Sequence, residues 1–129
     1  MPEPTPAPRG LLLSDDLVFT SRIAGTARGL GLAVVAARSV SELVEMARRS
    51  PPRCVIVDLA NPGLDLPALL RSLGELAPRP RVVAYGPHVD ADLLRDARAA
   101  GCDPVLPRSK FVEQLEGELP RWFAEADLP

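Results

Sequence analysis

The sequence predicts one α/β domain in which five parallel strands form a doubly wound sheet with helices on both faces. Two features of the 129-residue chain support this prediction. Short apolar runs without polar alternation recur along it, and such runs are typical of strands that are covered on both faces. Segments with apolar residues at helical spacing lie between these runs, and the connections are only a few residues long. A chain of this length has room for one core of this kind.

The predicted elements alternate from the first strand to the last helix. The strands are predicted at 11–14, 32–37, 54–58, 81–85 and 105–106. The helices are predicted at 19–30, 40–49, 66–76, 91–100 and 110–119. Four side chains are expected to cap helix N-termini, namely Ser39, Asp65, Asp90 and Ser109. The last helix is expected to break at Pro120.

Five strands connected in this way fit the order 2-1-3-4-5 or one half of a Rossmann sheet. Pro107 favours an edge position for the fifth strand, because proline cannot donate to a central hydrogen-bond ladder. In open sheets of this kind, ligands bind beyond the carboxyl ends of the strands, at the switch point between the first and third strands. Asp15 and Asp16 follow the first strand, and Asp58 ends the third. The three aspartates are therefore expected at that edge of the sheet.

Three carboxylates at one strand edge repel one another unless a positive group lies among them. A hard divalent cation such as Mg²⁺ suits this position, because it prefers oxygen ligands. An aspartate beside such a cation can also attack phosphorus and form an aspartyl phosphate. The alternative is structural: Asp15 and Asp16 would cap the first helix, and Asp58 would be a solvated strand-end residue. On the first interpretation, removing Asp58 should stabilise the metal-free protein.

The composition argues against several other classes of protein. The formal net charge of −2 disfavours binding to nucleic acid or to an anionic membrane. The apolar runs are too short to span a bilayer, and the N-terminus lacks the pattern of a secretory signal. Cys54 and Cys102 have no metal-ligand spacing and are expected to be reduced thiols. These features predict a cytoplasmic protein.

The expected domain occupies residues 10–119, between a disordered, proline-rich tail at 1–9 and a C-terminal extension at 120–129. Trp122 and Phe123 in this extension either form a surface for a partner or pack on the core, and the core interpretation is favoured. His88 is expected to be a solvated loop residue. His88 is the only histidine, and the sequence shows no Ser-His-Asp or Cys-His pattern that includes it. The protein is therefore not expected to be an enzyme.

Three segments resemble the receiver domains of response regulators in bacterial two-component systems. Segment 11–16 is similar to the first strand and its acidic pair. Segment 55–63 is similar to the strand, phosphoacceptor aspartate and proline-glycine turn, and segment 99–103 to the stretch before the last strand. The resemblance extends from Gly10 to about Leu119. It implies a flavodoxin-like fold with strand order 2-1-3-4-5 and a stand-alone signalling domain.

Position by position, the resemblance implies a phosphorylation site. Asp15, Asp16 and Asp58 would bind Mg²⁺ together with the backbone carbonyl of Ala60, and Asp58 would accept the phosphoryl group. Arg108 stands at the position of the family's lysine. The implied partners are a histidine kinase or phosphotransfer protein and a downstream protein, with neither nucleic acid nor membrane among them. A homodimer through the fourth helix, fifth strand and fifth helix is also implied.

The switch residues of the family are replaced in this sequence. Gly86 stands where the family has a Thr or Ser hydroxyl, and Val105 stands where it has an aromatic ring. The proline that follows the family's lysine lies before Arg108 instead, at Pro107. Arg108 keeps the charge, but its planar guanidinium is not equivalent to an ammonium group. Lys110 is expected to be a solvated residue at the start of the helix and not a substitute.

Two functional hypotheses remain open. The first is a single-domain response regulator that a histidine kinase phosphorylates, and the three aspartates favour it. The second is a pseudo-receiver, an interaction module that partners recognise regardless of phosphorylation, and the missing switch residues favour it.

Overall fold

The computed structural model describes residues 9–124, in which five strands alternate with five helices. The strands are β1 (Arg9–Leu13), β2 (Ala33–Ala37), β3 (Cys54–Asp58), β4 (Arg81–Gly86) and β5 (Val105–Pro107). The helices are α1 (Leu17–Gly29), α2 (Val40–Arg49), α3 (Leu66–Gly74), α4 (Ala91–Ala100) and α5 (Arg108–Phe123). The types and order of the elements are those predicted, with ends that differ by a few residues. The predicted tail, apart from Arg9, lies outside the described residues, as do residues 125–129 of the extension.

All paired strands are parallel, and the sheet has the order β2-β1-β3-β4-β5. This is the first of the two predicted orders, so the chain has the doubly wound sheet of the flavodoxin-like fold. β5 lies at an edge, as Pro107 predicted. Because β1 pairs with both β2 and β3, the carboxyl ends of β1 and β3 are neighbours at the switch point of the sheet.

Two apolar clusters cover the two faces of the sheet. On one face, α2, α3 and α4 pack against strand residues such as Leu11 and Val57. On the other face, α1 and α5 pack against the alternate residues, such as Leu12 and Ile56. Because side chains alternate along a strand, neighbouring residues belong to different clusters. β3 is buried along its whole length, which agrees with its uninterrupted apolar run.

Side-chain caps fix the start of four helices. Asp16 caps α1 by accepting a hydrogen bond from the N–H of Phe19 at 3.0 Å. The next three helices have the predicted caps, which are Ser39, Asp65 and Asp90. Each cap satisfies a backbone N–H that the helix itself leaves without a partner.

The start of α5 differs from the prediction. The expected cap at Ser109 is wrong, because the helix already begins at Arg108. Pro107 occupies the cap position with φ −57°, and no side chain caps the helix there. The fixed φ of proline suits the start of a helix, where a missing N–H removes no intrahelical hydrogen bond.

α5 continues through Pro120 to Phe123, so the predicted break at Pro120 is wrong. A proline inside a helix costs about 3 kcal/mol, because it removes a hydrogen bond and crowds the preceding turn. Beyond it, Trp122 and Phe123 are 3% and 2% exposed in the cluster under α1 and α5. Burying a large apolar side chain contributes about 1.5–3 kcal/mol, so the two together offset that cost. The core interpretation of both residues is confirmed.

The end of α5 packs against the start of β1. A Cβ atom at Gly10 would overlap Cζ of Phe123 and would lie 3.2 Å from the carbonyl oxygen of Cys54. Glycine at this position therefore leaves room for the Phe123 ring. As a result, α5 runs the length of the sheet, from Arg108 at the carboxyl edge to Phe123 at the amino-terminal edge.

Cys54 and Cys102 are free and buried. Burial raises the pKa of Cys54 to about 12 and that of Cys102 to about 11. Both thiols therefore stay protonated near neutral pH and are weak nucleophiles, which agrees with the expectation of reduced, packed cysteines. Within residues 9–124, no helix has the length and apolar character that crossing a membrane requires.

Replacing Trp122 with alanine should lower the free energy of unfolding by about 3–5 kcal/mol, because it leaves a cavity between α5 and the sheet. Urea denaturation measures this change. Val18, which is 83% exposed on α1, offers a control, and Val18→Ala should change stability by less than about 0.5 kcal/mol. A cost near zero for Trp122→Ala would show that the last turn of α5 lies outside the core.

Candidate functional site

Three polar side chains lie side by side where β1, β3 and β4 end. Asp58 is the last residue of β3 and pairs with Tyr85 of β4 in the parallel register. On its other side, the hydroxyl of Ser14 donates a hydrogen bond to Oδ2 of Asp58 at 2.9 Å. Paired residues of parallel strands point to the same face. The row formed by Ser14, Asp58 and Tyr85 therefore faces α1 and α5, where Tyr85 packs.

The carboxylate of Asp58 is held at both oxygens. While Ser14 donates to Oδ2, the backbone N–H of Ala60 donates to Oδ1 at 2.9 Å. Asp58 is only 8% exposed, and these hydrogen bonds offset part of the cost of burying its charge. The structural alternative of a solvated strand-end residue is therefore wrong for Asp58, which is a fixed and buried carboxylate.

The turn after β3 is tied to the loop between β2 and α2. Asn61 is 4% exposed, and its Nδ2 donates to the carbonyl oxygen of Arg38 at 3.1 Å. Gly63 has φ +75°, a left-handed conformation that favours glycine. The turn predicted from these residues thus holds Ala60 where its N–H reaches Asp58.

Arg108 lies at the same edge and pairs with Asp16. Its Nη2 lies 2.7 Å from Oδ2 of Asp16. Its guanidinium carbon lies 4.2 Å from the centroid of the Phe19 ring. The pair is partly open to solvent, so its electrostatic attraction is screened. The ring and the carboxylate together nevertheless hold the guanidinium in one position.

Two groups keep Asp16 ionised. The N–H of Phe19, which donates to Oδ1, and the guanidinium of Arg108 lower the pKa of Asp16 below its usual value. Asp16 therefore caps α1 through one oxygen and pairs with Arg108 through the other. Any stability that this charge adds is present above the unfolded-state pKa and is lost as the pH falls through the lower folded-state value.

The three aspartates lie at one edge of the sheet, as the topology predicted, but they do not converge on one point. Asp15 is exposed, and Asp16 faces Arg108. Residues 9–124 contain no group of three or more His, Cys, Asp or Glu side chains that could hold a metal ion. In the arrangement described here, the positive group beside Asp16 is a guanidinium.

The donors at this edge still have the chemistry that Mg²⁺ prefers, since all of them are oxygens. Asp15, Asp16, Asp58 and the carbonyl of Ala60 would hold the ion once Arg108 released Asp16. Mg²⁺ and the guanidinium both neutralise the same carboxylate, so they compete for it. A magnesium site at Asp16 would therefore require the ion pair between Arg108 and Asp16 to break.

The space at position 86, where the resemblance to receiver domains implies a hydroxyl, is filled by neighbouring side chains. A Cβ atom at Gly86 would lie 3.3 Å from Cδ2 of Leu94 and 3.4 Å from Cβ of Leu59. A Thr or Ser there would displace one of these leucines. Val105 is 4% exposed and packs in the cluster under α2, α3 and α4. Neither Gly86 nor Val105 therefore supplies a polar group to Asp58.

Two other candidates lie away from the row of Ser14, Asp58 and Tyr85. Lys110 Nζ lies 3.5 Å from Oε2 of Glu113, one turn along α5. His88 is exposed in the loop after β4. Both positions agree with the solvated roles expected for these residues.

Three residues that the sequence patterns did not indicate also contribute to the site. Ser14 bonds to Asp58, Tyr85 pairs with Asp58 across the strands, and the Phe19 ring lies under the guanidinium of Arg108. The strand register is a signal that could have found these two residues, because Ser14 directly follows β1 and Tyr85 is the second-last residue of β4, and both strands lie beside β3. The contact of Phe19 depends on tertiary packing and has no such signal.

A cleft of about 1120 Å³ opens at the opposite, amino-terminal edge of the sheet. Arginines and apolar residues line it, among them Arg71, Leu73 and Arg79, and none of the three aspartates does. The chemistry at the carboxyl edge, and not the size of a cavity, therefore identifies the candidate site.

Solved structures share this architecture. A response regulator from Thermotoga maritima superposes with a TM-score of 0.77 at 19% identity, covering 92% of this chain and 99% of that chain. The receiver domain of NtrX from Brucella abortus superposes with a TM-score of 0.76 at 21% identity, covering 88% and 97%. The chain has the receiver-domain fold. The beryllofluoride-activated NtrC4 receiver domain dimer is also similar, with a TM-score of 0.72 at 17% identity, covering 88% and 98%. No family model and no curated protein matches the sequence.

The hydrogen bonds of Asp58 change the expected effect of removing it from this receiver fold. Asp58→Ala leaves the Ser14 hydroxyl and the Ala60 N–H without their acceptor, so it should destabilise the domain by about 1–3 kcal/mol. Asp58→Asn keeps an acceptor oxygen and should stay within about 1 kcal/mol of the wild type. Urea denaturation in metal-free buffer measures both. A more stable Asp58→Ala would show that repulsion among the aspartates outweighs these hydrogen bonds.

Removing the guanidinium should strengthen magnesium binding. In Arg108→Gln, Oδ2 of Asp16 is free and a repelling charge is gone, so Mg²⁺ should bind about tenfold more tightly. Amide chemical shifts of the residues around Asp58 report the titration. Lys110→Gln removes an equal charge that pairs with Glu113 and should leave the affinity nearly unchanged, whereas Asp16→Asn should abolish binding. Equal affinities for Arg108→Gln and the wild type would contradict the competition.

Proposed function

We propose that this receiver-fold chain is a signalling domain whose output depends on phosphorylation of Asp58. One observation carries the proposal: Asp58 is a buried carboxylate at the switch point of the sheet, with its two oxygens held by Ser14 and Ala60. A nucleophile held in this way attacks from a fixed direction, which reduces the entropy lost on reaching the transition state.

The proposed chemistry is the transfer of a phosphoryl group to Asp58. One carboxylate oxygen forms the new P–O bond as the P–N bond of a phosphohistidine donor breaks. The leaving imidazole keeps the electron pair and takes up a proton. With acetyl phosphate as the donor, the P–O bond to acetate breaks instead, and acetate leaves with the electron pair.

Cations are needed where charge develops on the phosphoryl oxygens. Mg²⁺ bound by the aspartates would supply part of this positive charge. Arg108 supplies a second cation at the same edge, where it pairs with Asp16 and lies over the Phe19 ring. Mg²⁺ binding at Asp16 would release this guanidinium for the phosphoryl oxygens. The planar guanidinium can also bind two oxygens of a phosphoryl group at once, which a lysine cannot do in the same way.

The proposed partners are proteins in the cytoplasm. A histidine kinase or a phosphotransfer protein would donate the phosphoryl group, and a downstream protein would bind the face of α4, β5 and α5. Exposed arginines on that face include Arg98 and Arg108. A second copy of the chain is another proposed partner for this face, since the related NtrC4 receiver domain is a dimer in its beryllofluoride-activated state.

A second candidate function is a pseudo-receiver that partners recognise regardless of phosphorylation. The ion pair between Arg108 and Asp16 favours it, because that pair neutralises one carboxylate without a metal ion. The packing of Gly86 between Leu59 and Leu94 also favours it, because no hydroxyl at this position can respond to a phosphoryl group. In this case partners would bind a single conformation of the domain.

Incubation with acetyl phosphate and Mg²⁺ should add one phosphoryl group to the wild type and none to Asp58→Asn. Intact-mass spectrometry measures the addition. Asp96 is an exposed aspartate on α4, so Asp96→Asn is the matched control and should be labelled like the wild type. A wild type that stays unlabelled would overturn the proposal and leave the pseudo-receiver as the better candidate.

A further inference from the structure

The hydroxyl of Tyr85 is buried and forms no hydrogen bond of regular geometry within residues 9–124. The residue is 1% exposed and lies near the end of β4. Its hydroxyl lies beside the hydroxyl of Ser14. Leaving such a group unpaired costs about as much as the net gain of one or two hydrogen bonds, and buried polar groups are nearly always paired. The position of this hydroxyl therefore needs an explanation.

The unpaired hydroxyl belongs to the row that contains Asp58. Tyr85 pairs with Asp58 in the parallel register, whereas Ser14 on the other side already donates its hydrogen to Oδ2 of Asp58. Burial raises the pKa of Tyr85, and the charge of Asp58 raises it further. The phenol therefore stays protonated at physiological pH and is a permanent hydrogen-bond donor. Of the two hydroxyls in the row, that of Tyr85 is the one without a hydrogen bond of regular geometry to any of residues 9–124.

The ring of Tyr85 begins a series of packed aromatic side chains. Its centroid lies 4.7 Å from that of Phe111, which in turn lies 5.5 Å from that of Trp122. The centroid of Phe19 lies 5.0 Å from that of Tyr85. These rings belong to one buried cluster. Because close-packed cores transmit small displacements, the series connects the edge at Asp58 with the last turn of α5.

We propose that the Tyr85 hydroxyl donates a hydrogen bond to an oxygen of the phosphoryl group on Asp58. The inference rests on the proposed phosphorylation of Asp58. Tyr85 and Gly86 are neighbours in β4, so their side-chain positions face opposite sides of the sheet. The donor therefore acts from the face of α1 and α5, and its response passes through Phe111 to Trp122.

This arrangement meets the thermodynamic requirement for a switch. A modification shifts a conformational equilibrium only through interactions that differ between the two states. Within residues 9–124, the Tyr85 hydroxyl forms no hydrogen bond of regular geometry, and it would gain one when phosphoryl oxygens are present. The bond therefore forms in only one of the two states, although both family switch positions are replaced.

Tyr85→Phe tests the inference, because it removes the hydroxyl and keeps the ring against Phe111. Beryllofluoride with Mg²⁺ serves as the phosphoryl mimic, and the fluorescence of Trp122, the only tryptophan of the chain, is the readout. The emission of the wild type should change as the mimic binds. In Tyr85→Phe the mimic should bind about tenfold more weakly, as expected for losing a hydrogen bond to a charged group, and the emission change at saturation should be smaller.

Two further measurements separate this role from a structural one. Thr20 is 7% exposed on α1, which packs on the same face of the sheet, and its hydroxyl donates to the carbonyl oxygen of Leu17. Thr20→Val should therefore keep the wild-type affinity for the mimic and the wild-type emission change. Without the mimic, Tyr85→Phe should be at least as stable as the wild type in urea, because an unpaired buried hydroxyl has been removed. A clear loss of stability would show that the hydroxyl is structurally paired and would overturn the inference.

Labelling by acetyl phosphate distinguishes the failure of this inference from the failure of the proposed function. If the wild type and Tyr85→Phe are both labelled and respond equally to the mimic, Tyr85 has no role at Asp58, while the proposed function stands. If the wild type is not labelled, the proposed function fails and the role of Tyr85 fails with it.

Discussion

The candidate site depends on the parallel pairing of β3 with β1 and β4. β3 is buried on both faces, and a shift by one residue would exchange the side chains that face the two apolar clusters. This constraint fixes the register in which Asp58 lies opposite Tyr85 and within hydrogen-bond distance of Ser14. Apolar residues such as Val57 and Ile56, which touch no ligand, therefore determine which polar side chains meet at the carboxyl edge.

α5 is the second element on which the site depends, because it contributes at both ends of the sheet. Its first residue, Arg108, pairs with Asp16 at the carboxyl edge, and its last residue, Phe123, fills the space that Gly10 leaves at the amino-terminal edge. Between them, Phe111 packs against Tyr85. A helix held at both ends places Arg108 accurately without a side-chain cap, and the same packing explains why Pro120 does not end it.

The order of the elements could be predicted because the apolar pattern of each strand or helix shows which of its faces is buried. This pattern can be read for one element without knowing where the others lie. The two errors concern the two ends of α5. At its start, Pro107 takes the cap position that was expected for Ser109, and at its end, the packing of the last turn outweighs the rule that proline breaks a helix. The edge at which Asp58 lies followed from topology alone. The pairing of Asp16 with Arg108 did not, because it joins residues 92 positions apart and leaves no periodic signal in the chain.

The Phe19 ring connects the two groups that would meet a phosphoryl group. Its centroid lies 4.2 Å from the guanidinium carbon of Arg108 and 5.0 Å from the centroid of Tyr85. If Arg108 left Asp16 for a more strongly charged phosphoryl group, the contact of its guanidinium with the Phe19 ring would change. The Phe19 ring packs directly against the ring of Tyr85. Neutralisation of charge by Arg108 and hydrogen bonding by Tyr85 then act on the same buried cluster. On the proposed mechanism, the domain would respond at α5 although position 86 has no hydroxyl and position 105 has no ring.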